Sequence, residues 1–131
     1  MTYLSREQIL KVDDLQFEDV EVPEWGGVVR VRGLTGTERD AFEESIIDQR
    51  GKKTRVVMAN LRAKLVAQSI VDEDGRRLFS ERDVGALGEK SAAALQRVFN
   101  AAQRLSGISD EDVEELVKNS SDGQSDGSIS D

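Results

Sequence analysis

Four times along the chain a serine or threonine is followed, three residues on, by a side chain able to return its hydrogen bond: Ser5 with Gln8, Thr35 with Glu38, Ser80 with Asp83 and Ser109 with Asp112. Such a pair satisfies two backbone N–H groups that a helix leaves bare at its start, so each marks an N-terminus. Leu4 before Ser5 and Ile9 after it can close a hydrophobic staple, as can Phe79 with Val84 and Ile108 with Val113. Four separated starts predict a mainly helical protein of short elements.

Between the first two starts the period changes from helical to two. Asp19-Val20-Glu21-Val22 and Val29-Arg30-Val31-Arg32 alternate on either side of Pro23-Glu24-Trp25-Gly26-Gly27, which predicts a β-hairpin. Val20, Val22, Val29 and Val31 then face the core, and Glu21 faces water with Arg30 or Arg32 for cross-strand pairing. Pro23 ends a strand that needs no further ladder bond, and the two glycines free the turn. Trp25 stands at the tip, either folded back as a lid over the small sheet or held out as an anchor for a partner.

The remaining elements follow from periodicity. A helix over 36–48 buries Ala41, Phe42 and Ile46, with Ile47 beside them, and a basic loop, residues 49–55, follows it as a solvated connection. A third helix over 54–70 is apolar nearly all round, with Val57, Leu61, Leu65, Ala59, Val66 and Ile70, and so is central. Asp72-Glu73-Asp74-Gly75 has the look of a calcium loop, but Ile70 would occupy its first ligand position. A turn at Asp74-Gly75 between Ile70-Val71 and Leu78-Phe79, a second short hairpin or a connector, fits better. A fourth helix runs from Ser80 to Leu87 with Gly88 to stop it. A fifth covers 91–105 with Leu95, Val98, Phe99, Ala102 and Leu105 on one stripe and Gly107 closing it. A sixth, from Ser109, presents Val113, Leu116 and Val117 on an acidic cylinder. The fold class is therefore α+β, mainly helical: an N-terminal hairpin packed on four to six short helices. Residues 1–118 form one domain, and 119–131, polar and acidic, a disordered tail.

With 26 acidic against 18 basic side chains, the chain has net charge −8 and is a poor ligand for nucleic acid. By segment the net is −5 over 1–27, +4 over 28–71, 0 over 72–105 and −7 over 106–131. Acidic ends around a basic middle suit either a solvated periphery or contact between copies. Histidine and cysteine are absent, and no phosphate loop, nucleophile elbow or dinucleotide fingerprint occurs, so neither an enzyme nor a metal or cofactor site is expected. Nothing resembles a signal peptide or membrane span, which points to the cytoplasm.

The segments EVPEWGG, RVRGLTGTERDAFE, LRAKLVAQSIVDEDGRRLFS and ALGEKSAAALQRVFNAAQRLSG together resemble the tail assembly chaperones of long-tailed (siphovirus-type) bacteriophages, over about residues 1–118. The resemblance implies a non-enzymatic protein, absent from the virion, that coats the tape measure protein before the tail tube polymerises. It also implies that ribosomal frameshifting can add a second domain that recruits the major tail protein. Self-association along the tape measure protein is expected. Trp25, Val113, Leu116 and Val117 are the candidate partner-binding side chains. Two other classes fit the same residues: a structural tail or connector subunit of the virion, and an acidic DNA-mimic inhibitor.

Overall fold

A computed structural model describes residues 2–48, 55–56, 60–109, 111–112 and 115. Among them are five α-helices: α1 (Arg6–Lys11), α2 (Gly36–Ser45), α3 (Leu61–Ser69), α4 (Val84–Gly88) and α5 (Ala92–Leu105). Strands β1 (Phe17–Val22), β2 (Gly27–Arg32) and β5 (Ile70–Val71) form an antiparallel sheet in the order β1-β2-β5. β3 (Ile47–Asp48) and β4 (Arg55–Val56) pair separately. The architecture is the expected α+β one, mainly helical.

All four capping boxes form. Ser5 with Gln8, Thr35 with Glu38 and Ser80 with Asp83 exchange both bonds. At Ser109 and Asp112 the two contacts measure 2.9 and 3.1 Å. The Ser80 box opens on a 3-10 turn, Glu81–Asp83, before α4 begins, and α4 runs through Gly88 to cap at Glu89, one residue past the expected stop. At the end of α5, Ile108 N–H donates to Gln103 at 2.9 Å and Gly107 N–H to Arg104 at 3.3 Å, with Gly107 at φ 72°. This is a Schellman closure, and its apolar residue Ile108 is buried.

The hairpin register opposes Val20 to Val29 and Glu18 to Val31, which puts Val20, Val22, Val29 and Val31 on one face. Val22 and Val31 are fully buried, Val20 nearly so and Val29 partly. Cross-strand pairing differs from expectation: Glu21 lies opposite Val28, while Arg30 meets its direct partner Asp19 at 3.0 Å and Arg32 turns to Glu38 in α2. Ile70 lies opposite Val31 and adds a third strand. The chain then doubles back through a turn with Gly75 at φ 85°, and Leu78 N–H donates to the Ile70 carbonyl at 3.1 Å. Asp72 spends its carboxylate inside that turn, accepting from Asp74 N–H at 2.8 Å and Arg76 N–H at 2.9 Å. The Arg76 and Asp74 amides hold its carboxyl below the usual range.

α5 lies under β1 and β2, and α3 packs across α5. Their shared core includes Leu61, Leu65, Val66, Leu95, Val98 and Phe99. α3 is central as expected, with Arg62 its exposed residue. Two boundaries differ from the sequence reading. α2 ends at Ser45, whose Oγ bonds the Phe42 carbonyl at 2.7 Å, and the β-branched pair Ile46-Ile47 leads into β3. Phe42 and Ile46, one turn apart, take the buried side and leave Ala41 exposed. α3 starts at Leu61, because Asn60 adopts φ 59° and breaks any helix entering from before it. Arg55–Val56, read as loop and helix, is a strand, and Gln49 to Thr54, Val57 and Ala59 lie outside the described residues. So do Val113, Leu116 and Val117 and the whole of 119–131.

One close approach fixes how the sheet sits on α5. A Cβ on Gly33 would fall 2.4 Å from the Leu105 carbonyl oxygen. Beside it Leu34 N–H donates to Ser106 Oγ at 3.0 Å.

Candidate partner-binding surface

The hairpin tip is a built structure. Pro23 opens a 3-10 turn, Pro23–Trp25, where its missing N–H costs nothing. Gly26 closes the turn at φ 77°, a conformation that favours glycine, donating its N–H to the Pro23 carbonyl at 3.0 Å. Glu24 accepts from the Arg97 guanidinium of α5. That bond, followed by Glu24's own N–H, holds the Glu24 carboxyl below the usual range.

Fixed in this way, the Trp25 ring folds back and packs against the core, half-buried, in company with Phe79 and Val84. Its outer side borders a groove of about 470 Å³. The apolar wall of the groove is Trp25, Phe79, Ala86 and Leu87; Glu24, Asp83 and Lys90 supply its polar part. The volume falls in the range of clefts that hold a small ligand or a few side chains. Trp25 is thus a lid on its inner side and part of an open groove on its outer side.

The indole Nε1 is buried and has no hydrogen-bond partner. A buried donor left unpaired costs about 1–3 kcal/mol. Trp25→Phe keeps most of the ring contact and removes that donor. Thermal unfolding should therefore show the variant unchanged or up to about 1 kcal/mol more stable. A clear loss of melting temperature would mean that the indole N–H is bonded in solution.

A second surface lies on α1, which precedes β1 in the chain. Ser5 accepts from Gln8 N–H at 3.2 Å while the Gln8 side chain accepts from Ser5 N–H at 2.8 Å, so the helical start of α1 is encoded locally. Yet no residue of α1 is buried. Leu4 is 66% exposed, Ile9 54%, Leu10 67% and Val12 61%, and the expected Leu4–Ile9 staple leaves both side chains largely in water. Tyr3 before them and Phe17 after them are exposed as well. So many large apolar side chains exposed within one short stretch mark a contact site.

A smaller hollow of about 260 Å³ lies among Ser45, Lys64, Gln68, Arg77 and Glu81. Its mixed charges define no ligand of one sign. Among the described residues no group of three or more potential metal ligands converges, and no helix is long and apolar enough to cross a membrane.

Of the side chains singled out from sequence, Trp25 alone can be placed, and it joins Phe79, Ala86 and Leu87 in one groove. Those three were invisible as site residues because Phe79 and Leu87 satisfy ordinary helical and hairpin patterns. The exposure of α1 had a signal: its apolar residues are only the adjacent pair Ile9 and Leu10, which make no i, i+3, i+4 stripe.

The phage tail assembly chaperone family profile matches residues 7–119. Among solved structures the chain is similar to the tail assembly chaperone of bacteriophage HK97, with TM-score 0.56 and 20% identity, covering 79% of this chain and 95% of that one. That likeness concerns the fold. No curated protein sequence matches the chain.

Proposed function

The chain belongs to the phage tail assembly chaperone family, and from that premise we propose that it binds the tape measure protein in the host cytoplasm and keeps it soluble until the tail tube polymerises. It does so without chemistry of its own, adding copy by copy along the partner, and it leaves before the virion is complete. A longer form made by frameshifting brings in the major tail protein.

The observation that carries this reading is the bare apolar surface on and around α1, from Tyr3 to Phe17. A protein whose work is to cover another chain needs such surface in its free state. A DNA mimic would instead present free rows of carboxylates. Here Glu18, Asp19, Glu24, Glu38 and Glu43 are each engaged by an arginine.

Co-expression tests the proposal. The tape measure protein is expected to stay in the soluble fraction with this chain present and to precipitate without it. Equal solubility in both cases would overturn the reading, as would recovery of this chain from purified virions in tail-subunit amounts.

A further inference from the structure

We propose that α1 of one copy seats in the Trp25 groove of the next, so that the chain assembles head to tail. The inference rests on the reading of the protein as one that adds copy by copy, and it names the contact. Two features of the same chain lack a partner and complement each other. α1 has a start encoded by its capping box and no buried face. Six residues do not hold a helix in water unaided, so α1 requires a surface to pack on. The groove offers an apolar wall of Trp25, Phe79, Ala86 and Leu87.

Charge agrees with the pairing. In the groove Glu24 is taken by Arg97, and Asp83 accepts from Ser80 N–H. Lys90 has no ion pair among the described residues. The incoming segment brings Asp13 and Asp14 directly after its apolar residues.

The length of the tether favours a second copy over the same chain. The groove is at the hairpin tip, whereas α1 joins β1 at its far end, Phe17. From Val12 to Phe17 a fully extended chain spans at most about 18 Å. β1 is itself roughly 17 Å long. Reaching its own groove would leave the linker no slack. Because helix and groove are different surfaces of one chain, the contact is heterologous, and it repeats as a ring or an open filament according to the rotation between copies.

The test uses the full chain alone, in sedimentation velocity over a wide range of concentrations, with Trp25 emission as a local readout. The wild-type chain is expected to associate as concentration rises, with a change in Trp25 emission. Ile9→Asp combined with Leu10→Asp removes the helix surface, and Ala86→Arg blocks the groove. All three positions are exposed, so circular dichroism and melting temperature should not move. Each variant should associate at least about tenfold more weakly. A mixture of the two should form a dimer and stop there, through the one intact helix and the one intact groove. The inference is overturned if the wild-type chain stays monomeric, if either variant associates as the wild type does, or if the mixture yields no dimer. A change in Trp25 emission on altering Ile9 and Leu10 in the dilute monomer would place α1 in its own groove and overturn it equally. With no tape measure protein in the sample, failure here removes this contact and leaves the holding activity to its own test.

Discussion

Phe99→Ala should destabilise the fold by about 3–5 kcal/mol, the usual cost of emptying a buried aromatic site. Phe99 is 5% exposed, sits on the α5 side of the α3–α5 contact and carries the Arg62 guanidinium 5.9 Å from its ring centroid. Domains of this size have total stabilities of about 5–15 kcal/mol, so the loss is roughly a fifth or more of the whole. Thermal unfolding should show a fall in melting temperature of more than about 10 °C. Phe17→Ala is the internal comparison. Phe17 is 46% exposed at the edge of the sheet, and its removal should shift stability by no more than about 1 kcal/mol. Equal effects at the two positions would contradict the placement of the core between α3 and α5.

Glu38→Ala should cost about 2–4 kcal/mol. One carboxylate serves two partners: Glu38 accepts from Thr35 N–H at 2.9 Å and from Arg32 at 2.6 Å through both oxygens. Breaking a buried ion pair costs about 3–5 kcal/mol, reduced here because the Arg32 and Glu38 side chains are 15% and 24% exposed. Loss of the capping partner adds about 1 kcal/mol. Arg32 would be left with a buried Nε that already lacks a partner. Glu38→Gln separates the two roles, since an amide oxygen can still accept from Thr35.

The same residue gives a pH signature. Desolvation, the largest single influence, pushes the Glu38 carboxyl up; the Thr35 amide, the Arg32 guanidinium and the Thr35 hydroxyl outweigh it and leave Glu38 below its ordinary value. A depressed folded value means the unfolded chain takes up the proton first as pH falls. The stabilisation is therefore present above the unfolded value of about 4.3 and fades as pH drops through the folded one. Glu38→Gln should flatten the acid limb of the stability curve. The flattening is partial, because Glu24, Asp72 and Asp112 are also held low.

The helix starts could be read from the sequence because the hydrogen bonds that make them are local, three residues apart, and hold whatever packs above. The hairpin could be read for a similar reason: its alternation and its turn lie within one short stretch. What escaped was set by distant partners. Ile70-Val71 was legible as one arm of a second short hairpin or a connector, but its pairing with Val31 in β2 was not, because that partner is distant in the chain. Arg55–Val56 carries helix-compatible residues, yet pairing with Ile47–Asp48 draws it out. The groove was hidden for the same reason, since Trp25 and Leu87 are far apart in the chain and meet only once α4 is docked. Cross-strand charges were read as Glu21 with Arg30 or Arg32, and the true register gives Arg30 to Asp19 while Arg32 turns to Glu38. Pattern identifies a face; it leaves register to the turn.

The close approach of Gly33 to Leu105, with the Leu34–Ser106 bond beside it, carries a consequence for the order in which the protein is made. β1 and β2 leave the ribosome early and can pair at once, but α5, the helix that covers Val20, Val22 and Val31, is the last to be synthesised of the five described helices. Until Leu105 and Ser106 emerge, the growing chain carries a formed hairpin with an uncovered apolar underside. Such separated contacts are slow to close and leave sticky intermediates exposed meanwhile. A protein that would shield another during tail assembly is thus, for most of its own synthesis, a nascent chain in need of shielding.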